Sequence, residues 1–277
     1  MLATLKEVLE KAEQGNYAVG AFNCTSLESG MAIVETAEEL NSPVILQYAD
    51  SHRHLISIDV IGPIMLQLAK IAKVPVVVHL DHGASIESCR HAVDMGFTSV
   101  MYDASAKPFE DNVAETRSVV EYAHERGASV EAELGHILTS KAGAAEGNGK
   151  SYTREEAYTD PEMAKEFIER TNVDALAIGF GTAHGIYTEK PVLDLNRIAL
   201  IKSAKDIPYV MHGGSGLSEE EYRTAIHNGI RKINYYTYLS LAGGRGVMQY
   251  LEDKKDKDAI YFEDIAKAGI TAMKADV

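Results

Sequence analysis

No run in this 277-residue sequence is apolar for long enough to span a bilayer, and charges interrupt the opening MLATLKEVLEKAEQG before a secretory core could form. A cytoplasmic location is the expectation. Cysteine is scarce. Cys24 and Cys89 form neither a short paired motif nor a disulfide-like framework, so a reducing compartment and two ordinary core thiols are expected. Basic residues are outnumbered, 27 Lys and Arg against 41 Asp and Glu. The net charge of −14 argues against nucleic acid as the main partner while leaving room for a local pocket for one small phosphate. No linker, low-complexity tract or shift of composition divides the chain, so residues 1–277 read as one domain. The dinucleotide fingerprint G-x-G-x-x-G is missing after the first apolar run, where AFNCTSLESG stands instead.

What is present is a repeat of short apolar runs. They begin at Tyr17, Pro43, Pro75, Thr98, Ala128, Asp174, Ile207 and Ile230, and several are continuous enough to be strands buried on both faces. Between them lie stretches with helical spacing, such as SGMAIVETAEEL, IESCRHAVDMGF, NVAETRSVVEYAHERG and DPEMAKEFIERT. Strand and helix alternating predict a parallel sheet, and eight units predict closure into a (β/α)8 barrel over an open Rossmann-like sheet. Leu2, Leu5, Val8 and Leu9 have helical spacing and predict an N-terminal helix lying on the body. The polar, glycine-rich segment from Gly135 to Thr159 is too long for a default connection and reads as a mobile active-site loop.

Barrel enzymes build their sites at the carboxyl rim of the strands, where this sequence places Asp81, His82, Glu133, His184 and His212. Three histidines from three strand ends can converge on one ion. Neutral imidazole suits zinc, with an open position left for substrate. The remaining seven histidines, at 52, 54, 79, 91, 124, 136 and 227, lack that shared placement and are not assigned. After the seventh run, HGGSG from His212 to Gly216 offers consecutive small residues whose backbone N–H groups can take an anion, and Asn234 and Thr237 follow the eighth.

These residues resemble the class II, metal-dependent ketose-bisphosphate aldolases, the family of fructose- and tagatose-bisphosphate aldolases. The resemblance rests on AFNCTSLE, HLDHG at His79–Gly83, VEAELG at Val130–Gly135, GTAHGIY at Gly181–Tyr187, HGGSG and KIN..T at Lys232–Thr237. It implies that His82, His184 and His212 bind the catalytic zinc or another divalent ion, with Glu133 a carboxylate that approaches it in some states. It also implies that Asp81 is the acid/base residue and that Gly185, Gly213, Ser215, Asn234 and Thr237 contact the substrate phosphate or hydroxyls, assisted by a monovalent cation. A loop glutamate, Glu146, with Glu155 and Glu156 as alternatives, would protonate the carbanion. Aldol cleavage develops negative charge on the ketose carbonyl oxygen, which a Lewis acid stabilises, while Asp81 takes the C4 hydroxyl proton. A structural carboxylate orienting His82 is the other reading of Asp81.

The expected reaction is reversible cleavage of a ketose 1,6-bisphosphate, with fructose 1,6-bisphosphate giving dihydroxyacetone phosphate and glyceraldehyde 3-phosphate. Tagatose 1,6-bisphosphate or another ketose phosphate is the alternative substrate, and a non-catalytic phosphosugar-binding barrel the alternative class. A Schiff-base aldolase would need a buried strand-end lysine, and Lys232 reads instead as a structural or flanking charge. Tyr236 and Tyr238 stand where fructose-bisphosphate aldolases carry acids, Ala49 replaces a serine and Thr188 a lysine, so contacts to the sugar are expected to differ. The YYTY cluster is read equally as substrate contact or interface packing. Arg53 and Arg245 are the cations considered for a second phosphate. A homodimer or homotetramer is expected by resemblance alone.

Overall fold

The computed structural model describes residues 1–139, 153–187, 189–255 and 259–277. The eight apolar runs form eight parallel strands: β1 Val19–Asn23, β2 Val44–Ala49, β3 Val76–Gly83, β4 Ser99–Tyr102, β5 Ser129–Leu134, β6 Ala175–Ile178, β7 Tyr209–Met211 and β8 Ile230–Tyr235. Each pairs with the next, and β8 returns to β1 with Lys232 opposite Val19 and Tyr235 opposite Phe22. The sheet closes, and the expected (β/α)8 barrel is the fold.

A main helix follows each strand: α1 Leu27–Glu39, α2 Ile58–Ile71, α3 Ile86–Met95, α4 Phe109–His124, α5 Pro161–Thr171, α6 Leu195–Ala204, α7 Glu219–Asn228 and α8 Thr237–Lys254, with short helical turns at Asp50–His54 and Arg154–Ala157 ahead of α2 and α5. Ser26, Ser85 and Ser218 open α1, α3 and α7 with reciprocal capping boxes, and Asp160 caps α5 ahead of Pro161, so the starts are written locally in the sequence. A last helix, Phe262–Asp276, packs with α8 and α1. Among the described residues no helix is long and apolar enough to cross a membrane. Cys24 and Cys89 are buried free thiols; burial pushes Cys24 up to about 12 and raises Cys89 as well, which fits core packing.

The barrel interior has two halves, because side chains alternate along each strand and every second residue points inward. Its lower half is apolar: Val19, Ala21, Ile45, Val77, Met101, Ala175, Ala177 and Val210 form one cluster with Leu5, Val8, Leu9 and Ala12 of the N-terminal helix Leu5–Gly15. That helix therefore closes the amino-terminal mouth, which is more than the surface packing its periodicity predicts. Fully burying each such Leu or Val contributes roughly 1.5–3 kcal/mol. Continuing the alternation upward gives Asn23, Gln47, His79, Asp81, Glu131, Glu133, His212, Lys232 and Asn234, all buried. The upper half is thus a polar layer beneath the carboxyl-terminal rim.

Candidate active site

Along β3, Val77, His79 and Asp81 point inward, so His82 would face the helices if the alternation continued. It does not. The register between β3 and β4 shifts between Leu80 and Gly83, and His82 adopts a left-handed backbone with φ of 45°. This bulge turns two consecutive residues toward one cleft. A left-handed conformation is uncommon for a residue with a Cβ and is found where surrounding structure enforces it, often at functional sites.

His82 Nδ1 lies 2.9 Å from Asp103 Oδ2, just beyond β4, and Asp103 Oδ1 also accepts from Ser105 N and Oγ at 3.1 and 2.7 Å. Burial pushes the Asp103 carboxyl up, but the His82 and Ser105 bonds outweigh it and hold it well below the usual range. His212, directly after β7 and fully buried, sets Nε2 2.9 Å from Glu131 Oε1. The other Glu131 oxygen is 2.8 Å from Lys232 Nζ, and this ammonium together with His212 brings the carboxyl down to about 2 against the pull of burial.

Ionised carboxylates only accept, so each imidazole donates outward and, when neutral, presents a lone pair inward. The inward atoms, His82 Nε2 and His212 Nδ1, are 2.9 Å apart. Two facing lone pairs at that distance repel unless a proton or a cation lies between them. His184 completes the set, its ring centroid 5.1 Å from that of His82 and 5.7 Å from that of His212. One ligand atom from each of the three falls within 4.8 Å of the others, close enough for a tetrahedral ion, whose nitrogens would stand about 3.3 Å apart for bonds of 2.0–2.1 Å. The donor set fits a divalent metal, with Asp103 and Glu131 as the outer partners that fix ring orientation.

His184 ends a strand, as the sequence suggests, but not one of the eight barrel strands. It follows β6 by six residues, in a segment where Ala183–His184 pairs in parallel with Leu138–Thr139 across the rim. Glu133, His82 and Asp103 form a second group of possible ligands. Burial raises the Glu133 carboxyl well above its usual value, Asp103 reinforces this, and Oε2 is buried without a hydrogen-bond partner among the described residues.

Asp81 Oδ2 accepts from Asn23 Nδ2 at 3.0 Å and Gln47 Nε2 at 3.3 Å, and Oδ1 accepts from Asn234 Nδ2 at 3.0 Å. It does not orient His82, since Asp103 holds that position. Lys232 is no flanking charge: its ammonium is fully buried between Glu131 and Asn234 Oδ1, 2.7 Å away, beneath the cleft floor. His79, left unassigned by sequence, belongs to the same layer, with Nδ1 2.8 Å from Ser99 Oγ.

Above this layer opens a cleft of about 230 Å³ lined by Asp81, His82 and His184 together with Gly185, Gly213, Ser215, Asn234 and Thr237. All five residues expected at the phosphate or hydroxyls therefore border one cavity, with Thr237 opening the 18-residue α8. Asn234 is also committed to Asp81 and Lys232. The cleft adds Ser51, His52 and Tyr236, which the sequence did not single out as a group; the His52 and Tyr236 rings are 4.7 Å apart. Of the YYTY cluster, Tyr235 and Tyr236 line the cleft, and Tyr238 packs against Gly216. Ala49 also borders it. Arg53 is bound to Asp50, and Arg245 is on the exposed side of α8, outside the lining. Glu146 and Thr188 lie outside the described residues. Glu155 is exposed, and Glu156 spends its carboxylate capping Thr153, accepting from N and Oγ at 2.8 Å.

The buried imidazoles dictate a pH dependence. Burial lowers His79 to about 3, with Lys232 adding to the effect, and lowers His212 to about 4 despite its bond to Glu131. Unfolded histidine titrates near 6.5, so between about pH 6.5 and 4 the unfolded chain binds more protons and stability falls as pH drops. His82 is displaced the other way: burial lowers it, but Asp81 and Asp103 outweigh burial, so its contribution is full below about 6.5 and is lost only at higher pH. Thermal unfolding of the chelator-treated protein should therefore weaken from pH 6.5 to 4 by on the order of 1 kcal/mol per pH unit per buried neutral imidazole. A flat melting temperature across that window would contradict the neutral assignment of both rings.

Comparison with known proteins gives a consistent pattern. The family model described as Fructose-bisphosphate aldolase class-II matches residues 3–277. A fructose-bisphosphate aldolase of Geobacillus stearothermophilus is 41% identical over 279 residues, covering 100% of this chain and 94% of the relative. One of Staphylococcus aureus is 40% identical over 261 residues, covering 92% and 88%. Among solved structures, the YdjI aldolase from Escherichia coli K12 superposes with a TM-score of 0.85 at 34% identity, covering 100% of this chain and 94% of that one.

Proposed function

The chain belongs to the class II fructose-bisphosphate aldolase family, and on that premise we propose that it cleaves fructose 1,6-bisphosphate reversibly into dihydroxyacetone phosphate and glyceraldehyde 3-phosphate, using zinc. Aldolase activity on a ketose bisphosphate follows from the family; the particular sugar, the metal and the residue roles are our reading. One observation carries it: three imidazoles whose ligand atoms lie within 4.8 Å of one another stand beside an ionised Asp81 in a cleft bordered by small and hydroxyl residues.

His82, His184 and His212 would hold the ion, which when bound supplies Lewis acidity for the ketose carbonyl oxygen. Asp103 and Glu131 keep His82 and His212 as donors outward, so that each presents its lone pair to the cleft. Gly185, Gly213, Ser215 and Thr237 border the position where a phosphate would sit, with a monovalent cation a further expected contributor, and the start of α8 favours negative charge there. Asp81 would take the proton from the C4 hydroxyl in cleavage and return it in condensation. The second proton transfer, to carbon, is assigned to Glu146. Residues 1–277 act in this reading as one catalytic domain, in a homodimer or homotetramer in the cytoplasm.

A panel assay tests the substrate. Dihydroxyacetone phosphate release should be greatest from fructose 1,6-bisphosphate, should stop on chelation and should return with zinc. Faster release from tagatose 1,6-bisphosphate or a ketose monophosphate would move the sugar assignment, which the tyrosines at 236 and 238 make worth measuring. Release indifferent to chelation and zinc would remove the metal mechanism.

A further inference from the structure

We propose that the Tyr187 hydroxyl is a strut that fixes the spacing between the segments bearing His184 and His212, which makes Tyr187 a positioning residue for the metal ligands and for the anion loop that follows His212. The inference rests on the three-histidine reading given above. Ala183 N–H donates to Tyr187 Oη at 2.8 Å, and the same hydroxyl donates to Gly213 O at 2.8 Å. Ala183 immediately precedes His184, and Gly213 immediately follows His212. A single oxygen thus joins the two main chains one residue from each ligand.

The two segments are also in direct contact. A Cβ at position 213 would meet Ala183 O at 2.4 Å, and Gly213 has φ of 67°, so the backbones approach as closely as glycine permits. Such contact limits how near the segments come, while a hydrogen bond on each side of the hydroxyl limits how far apart they move. The next carbonyl is held in the same manner: Tyr222 OH, from α7, donates to Gly214 O, and Gly214 N–H donates to Asn234 O at 3.1 Å. In a trans peptide the N–H points opposite the preceding C=O, so anchoring Gly214 O on Tyr222 directs the Ser215 N–H away from that ring. Two hydroxyls therefore set two successive peptide planes of the HGGSG segment.

Tyr187→Phe deletes one oxygen and keeps the ring. It should leave the fold intact and raise the zinc dissociation constant about 10- to 100-fold, the scale of losing an outer partner of a metal ligand. Affinity is read by titrating the metal-free protein with zinc against a competing chelator, which requires no turnover. The cobalt-substituted variant should also show an altered visible spectrum, because ligand spacing sets the coordination geometry. Tyr209→Phe serves as control: it removes a hydroxyl bonded to Lys205 O, on the helix side of the sheet, and should leave both metal readouts as in the unaltered protein.

Wild-type zinc affinity and an unchanged cobalt spectrum in a folded Tyr187→Phe protein would overturn the strut. So would loss of the fold in Tyr187→Phe but not in Tyr209→Phe, because the hydroxyl would then serve folding alone. If the unaltered protein itself binds no zinc, the three-histidine reading fails together with the strut, a result distinct from either of the other two.

Discussion

Replacing His184 with alanine is expected to cost more than about 10²-fold in zinc affinity and to take aldol cleavage down with it, because even an outer partner of a metal ligand costs 10- to 100-fold. His184 is the most informative of the three proposed ligands to remove. His212 is fully buried against Glu131, whose other oxygen faces the Lys232 ammonium, so its loss would leave charged groups in a void. His82 is bound to Asp103 and sits in a left-handed bulge. His184 instead lines the cleft from a segment beyond β6 and is only partly buried. The metal-free His184→Ala protein should therefore melt close to the metal-free parent, while its bound zinc, measured by elemental analysis after dialysis, falls away. Retention of stoichiometric zinc with full activity would remove this residue from the ligand set.

Asp81→Asn should separate proton transfer from metal binding. The carboxylate receives three amide donors, from Asn23, Gln47 and Asn234. Burial pushes its carboxyl up, yet His82, His212 and Lys232 outweigh burial and hold it well below the usual range, so it is ionised at neutral pH. A charged acceptor facing the cleft is suited to receive a hydroxyl proton. Asparagine cannot take that proton, and its own NH2 must face at least one of the neighbouring amide donors. The expected result is a fall in kcat of about 10²- to 10⁴-fold with zinc content unchanged. The competing structural role predicts the reverse pattern, zinc loss with little separate effect on the rate of whatever enzyme remains loaded. The geometry already bears on the choice, since the acceptor beside His82 Nδ1 is Asp103.

The barrel was legible in the sequence because strands buried on both faces must be nearly continuous apolar runs, and because eight strand–helix units close a parallel sheet. Helix starts such as Ser26, Ser85 and Asp160 were equally local, each cap being decided within four residues of chain. Gly185, Gly213, Ser215, Asn234 and Thr237 were expected together from the family resemblance, and they border one cavity because the segments that carry them meet at one rim. The N-terminal helix was less complete: its period shows that one face is apolar, but not that this face fills the lower barrel mouth.

Asp103 and Glu131 escaped notice for a different reason. As letters they resemble any other carboxylates, although Asp103 directly follows a strand and Glu131 precedes Glu133 by two, the spacing that puts both on one face of β5. Lys232 read as either a structural or a flanking charge, and the choice stayed open because its neutralising partner stands 101 positions earlier in the chain. The turn of His82 depends on how β3 registers against β4. Periodicity along a chain records which face of an element is buried, and that much the sequence alone determined: the elements, their order and the rim. Which groups meet across the closed barrel depends on register, bulge and burial. Those were decided only when the eighth strand paired with the first, when removal from water left each buried charge in need of a partner close at hand.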